Sequence, residues 1–291
     1  MPTVSVVIPS FRGGRLLREA VASVQAQTLT DWELIIVLDG CDDNLSDIEK
    51  ADERVRVIRQ RNRGASIARN VGVSHARAEF VALLDDDDLM LPERLQAQVD
   101  AMSDGSIGLC HTQFCFIDEN GAVTGVGGAK ESQYRDCLNG DAGICPGSAM
   151  FRRDLFHAVG GYNPLLTLGE DLDLFYRMAR ESTVCFVPAT LYMYRRHGSN
   201  GWLGTDLGSE ECRMILKQHL VAAKNHGETE NEKAIRRGLS LIPSNRVAKA
   251  VSQASHERSQ HNYAAMLAAF IKAFLLSPRF TTRAALRMFS K

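Results

Sequence analysis

The 291-residue sequence predicts an α/β fold: a mostly parallel open sheet flanked by helices on both faces, followed by a mainly helical C-terminal extension. Three observations predict it. Up to about residue 107, short β-branched runs alternate with stretches whose apolar residues recur at helical spacing, the pattern of repeated strand–helix–strand units. Beyond residue 201 the alternation stops and helical patterns take over. Charge changes with pattern, since residues 202–291 hold 14 Lys and Arg against 7 Asp and Glu in a chain whose net charge is −1.

Residues 4–8 (VSVVI), closed by Pro9, read as a buried parallel strand. Leu16, Leu17, Ala20, Val21 and Val24 fall on one face of a helix over 15–27. WELIIVL (32–38) and VRVIR (55–59) are the second and third strands. A helix over 65–76 and a strand FVALL (80–84) follow, then a helix over 92–102 with Pro92 in its first turn. The pattern then becomes mixed: a strand over 109–118, a turn at Asn120-Gly121 and a return strand over 122–125. Glycine and polar residues dominate 125–147, which is expected to be mobile loop. Helices over 152–159 and 170–180 precede one or two strands over 184–195. In the extension, YAAMLAAFIKAFLL (263–276) is apolar nearly all round and is followed by Arg279, Arg283, Arg287 and Lys291. It reads either as a helix packed on the preceding domain or as a peripheral membrane contact, apolar residues in the interface and cations over anionic lipid.

Composition excludes several function classes. The near-neutral charge argues against a nucleic-acid-binding role. Seven scattered cysteines without a CxxC pair suggest neither a zinc ribbon nor a redox dithiol, and read as buried free thiols in a reducing cytosol. The N-terminus MPTVSVVIPS lacks the features of a signal peptide, and no run of about 18 apolar residues occurs, so a cytoplasmic location is expected. Neither GxGxxG nor GxxxxGK[ST] is present.

Chemistry is expected where open parallel sheets bind ligands, at the carboxyl ends of their strands. The first strand ends in Pro9-Ser10-Phe11, the second in Asp39-Gly40, the fourth in Asp85, Asp86, Asp87 and Asp88, and Asn62-Arg63-Gly64 precedes the helix after the third. Four acids in a row can be a solvated turn, and Asp88 suits an N-cap for the helix near Pro92. Four exceed what capping needs, and their repulsion would raise their pKa values unless a cation intervenes. Mg²⁺ or Mn²⁺ removes that conflict and takes phosphate oxygens and water as its remaining ligands, so a metal–diphosphate is the implied ligand. Phe11 is either core or a face for a nucleotide base, which Asp39 could hydrogen-bond. Arg63 or Arg69 could meet phosphate, although Arg69 equally suits a helix surface. In GEDLDLFYRMARE (169–181), Leu172, Phe175, Met178 and Ala179 form a stripe predicted to be buried. Glu170 and Asp171 at that helix start are favoured by the helix dipole, and are equally well placed for a general base. His197 lies just past the last strand, in YMYRRHGSN.

Taken in order, VSVVIPSF, QTLTDWELIIVLDG, NRGASIARNVGVSHARAEFVALLDDDD with LPERL, GGYNPLLTLGEDLDLFYRMA and YRRH resemble the inverting glycosyltransferases of family 2, with the nucleotide-sugar-binding GT-A fold. The resemblance covers about residues 3–200. It implies that Pro9, Ser10 and Phe11 border the base, that Asp39 hydrogen-bonds it, and that Asn62, Gly64 and Arg69 lie against the nucleotide. Asp85, Asp86 and Asp87 correspond to the DxD motif, with Asp87 the chief metal ligand and its neighbours reaching the ribose or metal-bound water. Asp171 matches the catalytic base, supported by Glu170, and His197 a histidine that approaches the metal or diphosphate. The sequence departs from the pattern at Leu38-Asp39-Gly40, where the family usually has two acids before the glycine.

The implied reaction is a single in-line displacement: Asp171 deprotonates an acceptor hydroxyl while Mn²⁺ or Mg²⁺ stabilises the departing nucleoside diphosphate. Base and metal then lie on opposite sides of the sugar. The donor would be a nucleoside-diphosphate sugar, a UDP-sugar foremost, and the acceptor a saccharide or lipid-linked hydroxyl in surface polysaccharide or lipopolysaccharide assembly. The expected organisation is a catalytic domain over 1–200 (nucleotide-sugar half 1–107, acceptor half 108–200, with Gly147-Ser148 on the acceptor side) and a helical extension over 201–291. The competing readings are a non-catalytic binding or scaffold relative and a metal-dependent nucleotidyltransferase or phosphohydrolase.

Overall fold

The computed structural model describes residues 1–139, 143–166, 168–196, 206–242 and 262–276, with 254 and 282. The chain divides into two compact units, residues 1–137 with 142–200 and residues 138–141 with 201–291.

The first unit is built on one sheet, nine-stranded among the described residues. Its N-terminal half follows from the sequence pattern. Strand β1 (Val4–Ser10) lies between β2 (Trp32–Asp39) and β4 (Phe80–Leu83), parallel to both, and β2 continues in parallel to β3 (Val55–Gln60). Val4, Val6, Val7 and Ile8 are all buried, as a strand covered on both faces requires. Helix α1 (Gly14–Gln25) buries Leu17, Ala20, Val21 and Val24, the stripe its spacing predicts. After the short α2 (Ser46–Ala51), helix α3 (Ala65–Ser74) packs so closely on the sheet that a Cβ added to Gly72 would sit 2.3 Å from Val7 Cγ1.

The other half is mixed. The full strand order is β3-β2-β1-β4-β8 (Met150–Arg152)-β6 (Ile107–Ile117)-β9 (Thr183–Arg195)-β5 (Leu89–Met90), with β7 (Val123–Val126) pairing β6. Strand β6 runs parallel to β9 and antiparallel to β7 and β8, and β8 closes antiparallel on β4. Helices α6 (Arg153–Ala158) and α7 (Glu170–Glu181) complete this half.

Four expectations need correction. The helix expected over 92–102 begins only at Arg94 (α4, Arg94–Ala101), after a turn at Pro92-Glu93, and is preceded by the two-residue strand β5 (Leu89–Met90), antiparallel to β9. Asp88 is therefore no N-cap; Glu93 holds that position. The stretch 125–147, expected to be loop, contains the end of β7, helix α5 (Tyr134–Leu138) and the start of a 3₁₀ turn (Pro146–Ser148). On α7 the buried face is wider than the predicted stripe, with Asp173, Leu174 and Tyr176 buried and Leu172 exposed instead.

In the second unit, α8 (Asp206–Asn225) and α9 (Thr229–Leu241) meet at Gly238, where an added Cβ would lie 3.2 Å from Leu216 Cδ1. Helix α10 (Tyr263–Leu276) buries Ala269 and Ala273 and exposes Tyr263, Leu267, Ile271, Phe274 and Leu275. No helix among the described residues is long and apolar enough to cross a membrane.

Candidate active site

The carboxyl ends of β1, β2 and β4 bring three of the predicted segments to one edge of the sheet. At the end of β2, Asp39 is buried, and both its oxygens are engaged. Oδ1 accepts from Gln60 Nε2 and Arg63 N at 2.8 Å each, and Oδ2 from Gly64 N at 2.8 Å. Asp39 thus shapes the Asn62-Arg63-Gly64 loop that leads into α3. Gly40 and Gly64 have φ of +93° and +89°, and the Gly40 backbone comes so near Asn62 that an added Cβ would be 2.7 Å from its Cβ. At the end of β1, Phe11 is 56% exposed, which settles it as a surface ring and not core. Ser10 is buried, and its Oγ donates to Asp86.

The four consecutive acids have four different environments. Asp85 receives Arg69 Nη2 at 2.8 Å. Asp86, held by Ser10, is pushed up to about 6 by burial and by the neighbouring Asp87 and Asp85 charges. Asp87 offers its backbone carbonyl to Arg195 Nε at 2.7 Å. Asp88 is 1% exposed; it accepts from the Tyr192 hydroxyl and, at 2.6 Å, from Arg195 N, and burial pushes its carboxyl well up. Arg195, itself 1% exposed, also meets Glu19 Oε2 at 2.8 Å and the Asp118 and Glu119 carbonyls. The end of β9 therefore clamps the acidic turn from beneath.

Arg69 is the second organiser. Sequence left it either a surface cation or a phosphate contact; it is buried, and besides Asp85 it reaches Glu170 Oε1 at 3.3 Å and Asp171 Oδ1 at 3.7 Å. Burial works against its charge, but Asp171, Asp85, Tyr162 and Glu170 outweigh that and hold the guanidinium firmly protonated. Helix α7 delivers Glu170 and Asp171 in its first turn after Gly169, whose φ of +86° makes the entry. Burial and Asp171 push Glu170 up to about 7 against the pull of Arg69. Asp171 is also raised, by burial and Asp85, while Arg69 and a 2.9 Å hydrogen bond from the Tyr162 hydroxyl lower it.

The structure thus assembles Pro9, Ser10, Asp39, Asn62, Gly64, Arg69, Asp85, Asp86, Asp87, Glu170 and Asp171 around the ends of neighbouring elements, with Arg69 joining the acidic turn to α7. His197 lies outside the described residues. Gly147 and Ser148 do not line an acceptor face: both are buried, with Ser148 Oγ donating to the Thr112 and Cys145 carbonyls and a Cβ added at Gly147 falling only 1.8 Å from the Tyr192 hydroxyl. Sequence reasoning gave no role to Tyr162, Tyr192, Arg195 or Asn70. The local signal was that all four stand inside quoted segments, Asn70 in NRGASIARNVGV, Tyr162 in GGYNP, and Tyr192 and Arg195 in YMYRRHGSN.

Among the described residues no group of three His, Cys, Asp or Glu side chains is assembled that could hold a metal ion. The turn nonetheless offers hard carboxylate oxygens whose mutual repulsion already shows in Asp86. Such a donor set suits a hard divalent cation that takes most of its ligands from phosphate and water.

The family model for glycosyl transferase family 2 matches residues 5–160. Glycosyltransferase GlyG of Streptococcus pneumoniae serotype 4 is 30% identical over 237 residues, covering 74% of this chain and 77% of that protein. Chondroitin synthase of Escherichia coli is 26% identical over 244 residues, 82% of this chain but 34% of the synthase. An uncharacterized glycosyltransferase of Rickettsia felis is 25% identical over 248 residues, and the chain spans 39% of its length. Among solved structures, S. aureus TarS 1–349 in complex with UDP-GlcNAc matches with a TM-score of 0.67 at 16% identity, covering 100% of this chain and 93% of that one. At that identity the likeness is one of fold.

Proposed function

The chain belongs to glycosyl transferase family 2, and from that premise we propose that it is an inverting transferase moving a sugar from a nucleoside-diphosphate donor to a saccharide or lipid-linked hydroxyl in surface polysaccharide assembly. A UDP-sugar is the donor favoured by the UDP-GlcNAc complex of TarS, and a polysaccharide product by the relation to chondroitin synthase. The observation that carries the reading is the Arg69 junction, which places a raised-pKa carboxylate pair on α7 beside an acidic turn at the carboxyl edge of the sheet.

Asp171 is the general base. As the acceptor oxygen bonds to the anomeric carbon, its proton passes to Asp171, the bond from that carbon to the phosphate oxygen breaks, and the nucleoside diphosphate leaves with the electron pair. Arg69 keeps a fixed positive charge between Asp171 and Asp85, so that the two acids can be ionised together. Asp87, with Asp85 and Asp86 beside it, would hold Mn²⁺ or Mg²⁺, which would supply charge to stabilise the departing diphosphate. Phe11 offers an exposed ring to the base, and the Asp39-ordered loop carries Asn62 and Gly64 alongside it.

A screen of nucleotide sugars with Mn²⁺, reading nucleoside diphosphate release, tests the proposal; a panel in which no donor binds in the presence of metal would overturn it. Asp171→Asn should retain donor binding and lose transfer by about 10²- to 10⁴-fold, the usual contribution of a positioned base. Asp87→Asn should instead weaken donor binding, and only in the presence of metal.

A further inference from the structure

We propose that Tyr162 is a positioning residue for the general base, holding Asp171 by one carboxylate oxygen so that the other is left to take the acceptor proton. The inference rests on the reading of Asp171 as the base. The contacts are asymmetric: the Tyr162 hydroxyl donates to Asp171 Oδ1 at 2.9 Å, and the nearest Arg69 nitrogen, at 3.7 Å, also faces Oδ1. Oδ2 accepts no hydrogen bond among the described residues, and the side chain as a whole keeps 18% of its surface exposed.

Tyr162 is itself fixed from α3. Asn70 grips its backbone at two points, Oδ1 accepting from Tyr162 N and Nδ2 donating to Tyr162 O, both at 2.9 Å. Gly161 permits the approach, with φ of +68° and an added Cβ only 2.9 Å from Asn70 Oδ1. The Tyr162 ring is 1% exposed, packs against Phe156 and lies 5.4 Å from the Arg69 guanidinium. Adjacent residues of one helix thus set both neighbours of the base, Arg69 by charge and Asn70 through Tyr162. Burial, together with the Asp171 charge, pushes the phenol well above its ordinary range, so Tyr162 remains a donor throughout the working pH range. The charged or titratable groups facing Asp171 are Arg69 from α3, Asp85 from the turn after β4, Glu170 on its own helix and the Tyr162 phenol.

A neutral donor to a carboxylate favours its ionised form, so removing the phenol raises the Asp171 midpoint. The test follows the side-chain carboxyl carbon of ¹³C-labelled aspartate in the full chain by NMR titration, with Asp171→Asn identifying the resonance by its loss. Tyr162→Phe, which keeps the ring, should increase the proton affinity of Asp171 by about five- to tenfold, a net hydrogen bond's worth. Asn70→Ser, which loosens the clamp but keeps the phenol, should move it less and in the same direction. With UDP-GlcNAc and Mn²⁺ as probe, the acid limb of UDP release should move up in Tyr162→Phe with donor KM unchanged. An unmoved midpoint in a folded Tyr162→Phe protein overturns the inference. Full turnover by Asp171→Asn would remove the base reading and with it the positioning role, an outcome told apart from failure of the Tyr162 contact because the carboxyl titration decides that contact by itself.

Discussion

Asp88 stands beside three other acids, yet its partners, Tyr192 and Arg195, come from the far end of the unit. Replacing it with leucine strands the Tyr192 hydroxyl and the Arg195 N–H, and each buried donor left unpaired costs about 1–3 kcal/mol. Chemical denaturation of Asp88→Leu should show that loss, together with weaker metal-dependent donor binding as the turn carrying Asp87 loosens. Glu170 contributes to the pH dependence, alongside the raised carboxyls of Asp86, Asp88 and Asp171. Its carboxyl is raised to about 7 in the fold from an ordinary 4.5, so the folded state binds the proton more tightly than the unfolded one between those values. Its contribution to stability therefore falls as pH rises through that window. Glu170→Gln should flatten the decline between pH 5 and pH 8 when urea midpoints are compared. At this scale the sequence was readable wherever function groups residues side by side: Asp85, Asp86 and Asp87, or Glu170 and Asp171. The positions of Tyr162, Tyr192 and Arg195 were legible, but their partners were not, because each acts on a carboxylate 9 to 107 residues away and no local pattern records such a pairing.

Helix α3 is the element on which the site turns, because Arg69 and Asn70 project from a helix seated directly on β1 and β2. Its depth depends on Gly72. Gly72→Ala would gain about 1 kcal/mol of intrinsic helix propensity, but its Cβ would meet Val7 Cγ1 at 2.3 Å, and overpacking of this kind costs about 1–3 kcal/mol. Little or no stability should be gained in denaturant titration, and donor binding should weaken as Arg69 shifts from Asp85. The strands and helices of the first 107 residues were legible because each buries a regular stripe or run. Strand β8 was not: three residues are too few to show a period, and Met150 and Phe151 are buried by their place between β4 and β6. Strand β5 was missed for a similar reason, since it is two residues long and exists only through β9.

At the scale of the molecule, the change from alternating to helical patterns marks where the sheet ends, while the antiparallel insertion of β8 into a parallel sheet leaves no trace in composition. Helix α10 exposes Tyr263, Leu267, Ile271, Phe274 and Leu275 along one stripe, ahead of a tail rich in arginine, so vesicle binding separates the expected peripheral lipid contact from the alternative of a helix packed on protein. Full-length protein should pellet with vesicles containing anionic lipid, and a truncation near residue 260 should remain in the supernatant; equal pelleting would end that idea. The clamp on the acidic turn also bears on how the protein is made. A chain emerging from the ribosome presents Asp87 and Asp88 once β1 to β4 are available, yet the groups that hold them arrive 104 to 108 residues later, with Tyr192 and Arg195. Domains fold as units during synthesis, so a nascent or truncated product ending before β9 carries every predicted acid of the turn without its working shape. The acidic turn therefore takes its final shape only once the last strand of the sheet is in place.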